Sequence, residues 1–222
     1  MNDMLLAGDD RAIHGFADRL NFRTKLVRPG FIRLSGVSSK GFPTGLAAMA
    51  EESAVDVLLL PPDLSLRRFR VACFDMDSTL IETEVIDELA ERAGVGDKVR
   101  EITASAMRGE IDFRESFSQR VALLKGLDVS VMEEIARSLP ITEGLERMMT
   151  ILKRVGYKTA ILSGGFTYFG NYLRQKYGFD YVYANELEIE DGRLTGRYVG
   201  EVVDGRRKAE LLRLLCQFEE IN

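Results

Sequence analysis

The stretch VACFDMDSTLIETE, residues 71–84, constrains the fold of this chain more than any other. Its first four residues form an apolar run that is typical of a buried strand, and Asp75 and Asp77 follow at once. Carboxylates at the carboxyl end of a buried strand lie where open α/β sheets bind their ligands. Alternate residues of an extended chain point to opposite faces, so both carboxylates reach one ligand only if the chain turns. The Asp, Ser and Thr residues of DMDST favour such a turn, although an acidic turn alone is common in structural roles.

Composition and charge indicate a globular protein that does not act mainly on nucleic acid or in a membrane. The 222 residues are 45% hydrophobic and 29% charged, as in a globular protein, and the formal net charge of −5 argues against a nucleic-acid partner. The sequence has neither a signal peptide nor an apolar run of membrane-spanning length. Its two cysteines, Cys73 and Cys216, have no metal or disulfide spacing. We therefore expect a cytoplasmic protein with reduced thiols and no membrane partner, and the sequence leaves a homodimer open.

Residues 1–68 are predicted to form a small α+β domain. The predicted elements are a helix at Asp10–Leu20, one strand within residues 25–34, a helix at residues 41–52 and a strand at Val55–Leu60. Pro61 and Pro62 end the last strand because proline does not donate to a β-ladder. The linker that follows, residues 62–70, contains three arginines that we interpret as solvated. His14, the single histidine, is predicted on the surface of the first helix.

Residues 69–222 are predicted to form an α/β domain that contains an insertion. Between about residues 85 and 139, four segments have apolar residues at helical spacing, which predicts a small helical bundle. The α/β pattern then resumes with a helix through Leu152, a strand at residues 157–162, a helix at residues 166–177, a strand at residues 181–183, a hairpin around Asp191-Gly192 and a helix from Gly205.

Two further motifs indicate a phosphoryl-transfer site when they are considered together with the two aspartates. Ser163, Gly164 and Gly165 follow a predicted strand, where glycines let the backbone approach an anion and the next helix offers N–H groups. Lys208 lies near the start of the last helix. Each signal alone is common in structural turns and on solvated faces. Together with the two aspartates they supply the nucleophile, acid/base, anion cradle and counter-charge that phosphoryl transfer needs.

These motifs resemble a known family. DMDST, SGGF and the downstream lysine are similar to the motifs of the haloacid dehalogenase-like phosphatases. FDMDSTLIETEVIDELA, FRESFSQRVALLKGL, PITEG and ILSGGF with ANELEIEDGRLTG resemble its phosphoserine phosphatase branch over about residues 70–222. The resemblance implies a doubly wound, Rossmann-like α/β core with a four-helix-bundle cap. The N-terminal domain resembles, more weakly, an ACT-type regulatory domain, and it looks shorter than the βαββαβ repeat of that type.

The resemblance also implies roles for individual residues. Asp75 is expected to be the nucleophile and Asp77 the general acid/base with a raised pKa. Mg²⁺ is expected on the Asp75 carboxylate and the Asp77 backbone carbonyl. The remaining expected site residues are Ser163, Gly164, Gly165 and Lys208 for the phosphoryl group, Glu84 and Arg120 for the substrate ammonium and carboxylate, and Met107 and Phe113 closing over the substrate. Without the resemblance, Glu84 would be interpreted as an acid at a helix start and Arg120 as an exposed helix charge. Met107 and Phe113 would be interpreted as core side chains of the helical bundle.

The implied reaction is Mg²⁺-dependent hydrolysis of O-phospho-L-serine to L-serine and phosphate, the last step of serine biosynthesis, through an aspartyl-phosphate. Two alternatives stay open: a phosphotransferase that passes the phosphoryl group to an alcohol, and a non-catalytic ligand-binding fragment. The second arises because the family continues into a strand and a Gly-Asp-Gly-x-x-Asp motif that completes the Mg²⁺ site, and this C-terminally truncated sequence lacks both. We therefore expect the 222-residue chain to bind Mg²⁺ weakly, to be nearly inactive and to leave a sheet edge unpaired.

Overall fold

The computed structural model describes residues 2–20, 22–37, 44–62 and 64–221. The chain separates into two compact units, Met1–Arg68 and Phe69–Asn222, and each unit has an apolar core of its own. We call them the N-terminal unit and the C-terminal unit. Among the described residues, no helix is long and apolar enough to cross a membrane.

The N-terminal unit is a four-stranded antiparallel sheet with two helices. Its elements are β1 (Asn2–Gly8), α1 (Asp10–Leu20), β2 (Arg23–Arg28), β3 (Phe31–Val37), α2 (Leu46–Glu52) and β4 (Val55–Leu60). The strand order β2-β3-β1-β4 is that of a ferredoxin-like fold. The six elements follow a βαββαβ order, so the prediction of a shortened repeat is wrong, while the ACT-type resemblance stays a prediction.

Two other predictions for the N-terminal unit need correction. Strand β1 was missed, although its alternation buries Met4 and Leu6 completely. The single strand predicted within residues 25–34 is a hairpin of β2 and β3, because Gly30 adopts a φ of 79° that lets the chain reverse. The predicted start of the second helix at residues 41–43 lies outside the described residues. His14 lies on the exposed face of α1, as predicted.

The C-terminal unit is built on the sheet β5 (Val71–Phe74), β6 (Lys158–Phe166), β7 (Tyr181–Glu190) and β8 (Arg193–Val199), in that order. The first three strands are parallel, and β7 and β8 form an antiparallel hairpin. Asp191 and Gly192 at its turn have φ values of 48° and 74°, which confirms the predicted type I′ turn.

Helices cover both faces of this sheet, as the doubly wound prediction requires. The helical insertion comprises α3 (Val85–Arg92), α4 (Gly96–Met107), α5 (Phe113–Ala122) and α6 (Ser130–Ser138), and α7 (Leu145–Val155), α8 (Thr167–Tyr177) and α9 (Gly205–Phe218) follow. Ala160 and Leu162 of β6 pack with Leu211 and Leu215 of α9. The intervening Ile161 belongs to the larger core that α7, α8 and the helical insertion share. The alternation along β6 thus sends successive side chains into two separate cores.

Strand β5, which was predicted to be buried, is half-buried along its whole length. The reason is its position: within the described chain, β5 pairs with β6 alone and lies at the edge of the sheet. The outer edge of β5 is thus unpaired there, as predicted. Cys73 on this strand is a free thiol, and burial raises its pKa to about 11.

Candidate active site

The motif residues meet at the carboxyl ends of two adjacent parallel strands. Asp75 and Asp77 follow β5, residues 163–165 end β6, and α9 carries Lys208. Because β5 and β6 are in parallel register, their carboxyl ends lie side by side. All of these residues except the fully buried Ser163 line a cavity of about 220 Å³. Its lining comprises Asp75, Asp77, Glu84, Val85, Ile86, Phe113, Phe117, Arg120, Gly164, Gly165, Phe166, Val203, Asp204, Gly205 and Lys208.

Asp75 is oriented by a cation and remains open to the cavity. Its Oδ2 accepts a hydrogen bond of 2.6 Å from Lys208 Nζ, and its Oδ1 accepts one of 2.9 Å from the N–H of Met76. The side chain of Asp75 is 46% exposed. Since a carboxylate has about four lone-pair positions, these two contacts leave Asp75 able to bind a further group.

Asp77 lies deeper and has a different environment. Its Oδ1 accepts a hydrogen bond of 2.8 Å from the N–H of Val85, and its Oδ2 accepts one of 3.2 Å from Ser163 Oγ. Burial raises the pKa of Asp77 from 3.8 to about 6; the Val85 N–H opposes this shift, and the neighbouring charge of Glu84 adds to it. A carboxyl group whose pKa lies near neutrality suits an acid/base, because it can both give and take a proton there.

Ser163 connects the turn at the end of β6 to Asp77. The Ser163 hydroxyl is fully buried, donates to Asp77 and accepts a hydrogen bond of 2.9 Å from the N–H of Gly165. A Cβ on Gly165 would overlap Asp77 Oδ2 and lie 2.8 Å from Met76 Cε, so only glycine fits there without displacement. The predicted strand end at residue 162 is too early, because β6 continues to Phe166, with a shift in its pairing to β7 between Leu162 and Phe166.

Asn185 is a residue of this site that the sequence analysis missed. It is 2% exposed, and its Nδ2 donates to the Gly164 and Gly165 carbonyls at 2.7 and 3.3 Å. Its Oδ1 accepts a hydrogen bond of 2.8 Å from the N–H of Val203, two residues before α9. The amide therefore joins the turn at the end of β6 to the segment that leads to Lys208. A polar residue inside the alternating end of a strand was the signal available in the sequence.

Glu84 and Arg120 bring opposite charges to the same cavity. Glu84 is the N-cap residue of α3, and it accepts a hydrogen bond of 2.7 Å from Ser78 Oγ. Ser78 has a φ of 53°, an unusual backbone conformation for serine. Arg120 donates from Nε to the Ser116 carbonyl at 3.3 Å; burial lowers the pKa of Arg120, and the charges of Asp87 and Glu84 oppose that shift.

Phe113 lines the cavity, whereas Met107 does not. The Phe113 ring lies over the turn at the end of β6: its Cζ is 3.2 Å from the position that a Cβ on Gly164 would take. Met107 is the last residue of α4 and is 85% exposed. The structure does not bring Met107 to the site, and the alternative placement in the bundle core is wrong as well, because α4 ends at Met107 and leaves this side chain in solvent.

The donor atoms near Asp75 fit a hard divalent cation such as Mg²⁺. The Asp75 carboxylate and the backbone carbonyl of Asp77 are oxygen donors, and Mg²⁺ is commonly held by one or two carboxylates with several retained waters. Across residues 2–20, 22–37, 44–62 and 64–221, no cluster of three His, Cys, Asp or Glu side chains could hold a metal. The described residues therefore supply part of a coordination shell.

Comparison with known sequences agrees with this arrangement. The profile of the haloacid dehalogenase-like hydrolase family matches residues 72–222. A phosphoserine phosphatase of Archaeoglobus fulgidus is 48% identical over 173 residues, which are 78% of this chain and 50% of that protein. The chain spans about half the length of the curated relatives it matches, with 50%, 44% and 52% covered in three phosphoserine phosphatases.

Solved structures of phosphoserine phosphatases are also similar to the chain. A probable phosphoserine phosphatase from Vibrio cholerae, in unliganded form, aligns with a TM-score of 0.81 and 31% identity over 100% of this chain and 70% of that chain. A structure described as the phospho-aspartyl intermediate analogue of phosphoserine phosphatase aligns with a TM-score of 0.64 and 42% identity, over 69% of this chain and 73% of that chain.

Proposed function

Because the chain belongs to the haloacid dehalogenase-like hydrolase family, we propose that its C-terminal unit hydrolyses O-phospho-L-serine through an aspartyl-phosphate on Asp75. The main support for the proposal is the lining of one cavity of about 220 Å³. It contains the phosphoryl-transfer set, which is Asp75, Asp77, Gly164, Gly165 and Lys208, together with the opposite charges of Glu84 and Arg120. Phosphoserine has a phosphoryl group, an ammonium and a carboxylate, and the cavity offers a partner of suitable charge for each. The similarity to phosphoserine phosphatases supports the same substrate.

In the first half-reaction, Asp75 attacks the phosphorus atom in line while the bond to the serine oxygen breaks. Asp77 donates its proton to that departing oxygen, and the raised pKa of Asp77 supports this role because it keeps a fraction of the carboxyl protonated near neutral pH. Lys208 lies 2.6 Å from Asp75 Oδ2 and neutralises charge on the phosphoryl oxygens. The Gly164 N–H is the proposed donor to the same oxygens, and the Ser163 hydroxyl, which donates to Asp77 in this structure, would join it by turning from Asp77 toward the cavity.

In the second half-reaction, water replaces serine and attacks the phosphorus of the aspartyl-phosphate. Asp77, now ionised, takes a proton from that water, and phosphate leaves Asp75. Mg²⁺, held by the Asp75 carboxylate and the Asp77 carbonyl, would neutralise the negative charge that the nucleophile and the phosphoryl group share. The cytoplasmic location and the place of this reaction in serine biosynthesis remain predictions.

Substrate analogues test the assignment of Glu84 and Arg120. Because the 222-residue chain is expected to be nearly inactive, the comparison is one of relative rates. In millimolar-range Mg²⁺, phosphate release should be faster from phosphoserine than from phosphoethanolamine, which lacks the carboxylate, or from phospholactate, which lacks the ammonium. Glu84→Gln should slow phosphoserine turnover about 10- to 100-fold, the factor that one lost charge-assisted hydrogen bond gives, and leave phospholactate turnover nearly unchanged. Arg120→Gln should slow phosphoserine turnover by a similar factor and leave phosphoethanolamine turnover nearly unchanged. Equal turnover of phosphoserine, an aromatic phosphate and a sugar phosphate would contradict the proposed substrate.

Trapping the intermediate tests the nucleophile. After incubation with phosphoserine labelled in the phosphoryl group, acid-quenched protein should carry a label that hydroxylamine removes, as expected of an acyl phosphate. Asp75→Asn should abolish this label. The matched control is Glu82→Gln, which changes an exposed acid of the same loop that does not line the cavity. Undiminished labelling of the Asp75→Asn protein would exclude Asp75 as the nucleophile.

A further inference from the structure

An ion pair joins the helical insertion to the core at the rim of the cavity. Arg114 lies in the first turn of α5, and its Nε donates to Asp204 Oδ2 at 2.8 Å across 90 residues of sequence. The Arg114 side chain is 56% exposed, but that of Asp204 is only 18% exposed. Neither residue belongs to the phosphoryl-transfer set or to the proposed contacts of the ammonium and the carboxylate.

Each partner of this pair is joined to a residue that lines the cavity. Arg114 directly follows Phe113, whose ring lies against Gly164. Asp204 is the N-cap residue of α9: its Oδ1 accepts a hydrogen bond of 2.8 Å from the N–H of Arg207, and its carbonyl accepts one of 2.9 Å from the N–H of Lys208. One carboxylate thus binds the first turn of the lysine-bearing helix with one oxygen and the helical insertion with the other.

We propose that Arg114 and Asp204 are a positioning pair that holds the start of α5 against the start of α9. The pair keeps Phe113 over Gly164 while Lys208 stays opposite Asp75. Losing the pair lets the start of α5 move away from the turn at the end of β6, which widens the cavity without removing any group that touches the substrate. An exposed ion pair has a modest effect, so we expect changes of about three- to fivefold rather than loss of function.

Hydrogen exchange tests the pair without depending on the proposed reaction. Arg114→Gln removes the charge, and Asp204→Asn keeps an N-cap oxygen for Arg207 but no longer offers two acceptor oxygens. In the 222-residue chain, each variant should speed amide exchange at the start of α5 and at residues 163–166 by about three- to fivefold. The double variant should exchange no faster than the single variants, because both lose the same contact.

Two controls distinguish the specific effect of losing the Arg114–Asp204 pair from a general effect of losing any surface ion pair. Arg108→Gln breaks an exposed pair with Glu110 inside the same insertion and should leave exchange at residues 163–166 unchanged. Salt at about 1 M screens exposed charges and should bring wild-type exchange at the start of α5 close to that of Arg114→Gln. Unchanged exchange in Arg114→Gln, or additive effects in the double variant, would overturn the proposal.

Kinetics extend the test to function, and this part rests on the proposed activity. With phosphoserine, Arg114→Gln should raise KM more than it lowers kcat, Arg114→Lys should restore part of the loss, and Arg108→Gln should behave as wild type. If phosphoserine is turned over no faster than by the Asp75→Asn variant, the proposed function fails, and the exchange experiment still decides whether the pair positions α5.

Discussion

Replacing Asp77 by asparagine should stabilise the C-terminal unit at neutral and alkaline pH while it removes the proposed acid/base. Burial raises the pKa of Asp77 from 3.8 to about 6, so the charged form is disfavoured in the folded state. Asparagine has nearly the same shape and no charge. Its Oδ1 can accept from the Val85 N–H, and its Nδ2 can donate to Ser163 Oγ in place of the present contact.

The magnitude follows from the pKa shift. The folded state holds the Asp77 proton more tightly than the unfolded chain, so the free energy of unfolding of the wild type falls as the pH rises from about 4 to about 6. A shift of about 2 pKa units corresponds to about 3 kcal/mol. The stability advantage of Asp77→Asn should therefore be absent below about pH 3, be about 0.5 kcal/mol near pH 4 and about 1.5 kcal/mol near pH 5, and level off at up to about 3 kcal/mol above pH 7.

Thermal and urea unfolding at several pH values measure this difference directly. At pH 8 we expect the unfolding temperature of Asp77→Asn to exceed that of the wild type by about 5–10 °C, as a unit of this size should show. Glu143→Gln, which changes an exposed acid of the same unit, is the matched control and should give a small difference at every pH. A variant that is less stable than the wild type at pH 8, or an advantage independent of pH, would refute the reasoning.

Three further expectations concern the same site. Gly165→Ala should lower kcat at least about 100-fold because the new Cβ displaces the Asp77 carboxylate, whereas Gly15→Ala, where the Cβ meets nothing within 4 Å and the residue does not line the cavity, should leave turnover near wild type. Asn185→Ala should lower the free energy of unfolding by about 2–4 kcal/mol in urea titrations, because it leaves the Val203 N–H and two carbonyls without their buried partner. Calorimetry should show Mg²⁺ binding no tighter than the millimolar range, because the described site offers one carboxylate and one carbonyl; micromolar binding would indicate further ligands.

Much of the local structure could be predicted from the sequence because it depends on short-range spacing. The four helices of the insertion follow from apolar residues at intervals of three and four, and the hairpin turn follows from Asp191-Gly192, whose positive φ values few other residue pairs accept. Strand β1 and the hairpin of β2 and β3 were missed because alternation over a few residues is a weak signal that does not mark where one strand ends and the next begins.

The motifs themselves indicated which residues would meet at the carboxyl ends of β5 and β6, since parallel strands bring these ends together whatever the rest of the chain does. Only the tertiary structure decided the remainder. Met107 lies in solvent, Asn185 joins two segments of the site, and Arg114 pairs with Asp204 across 90 residues. Burial, hydrogen-bond partners and the resulting pKa of Asp77 depend on which distant segments pack together, and residue spacing within one segment carries no information about that packing.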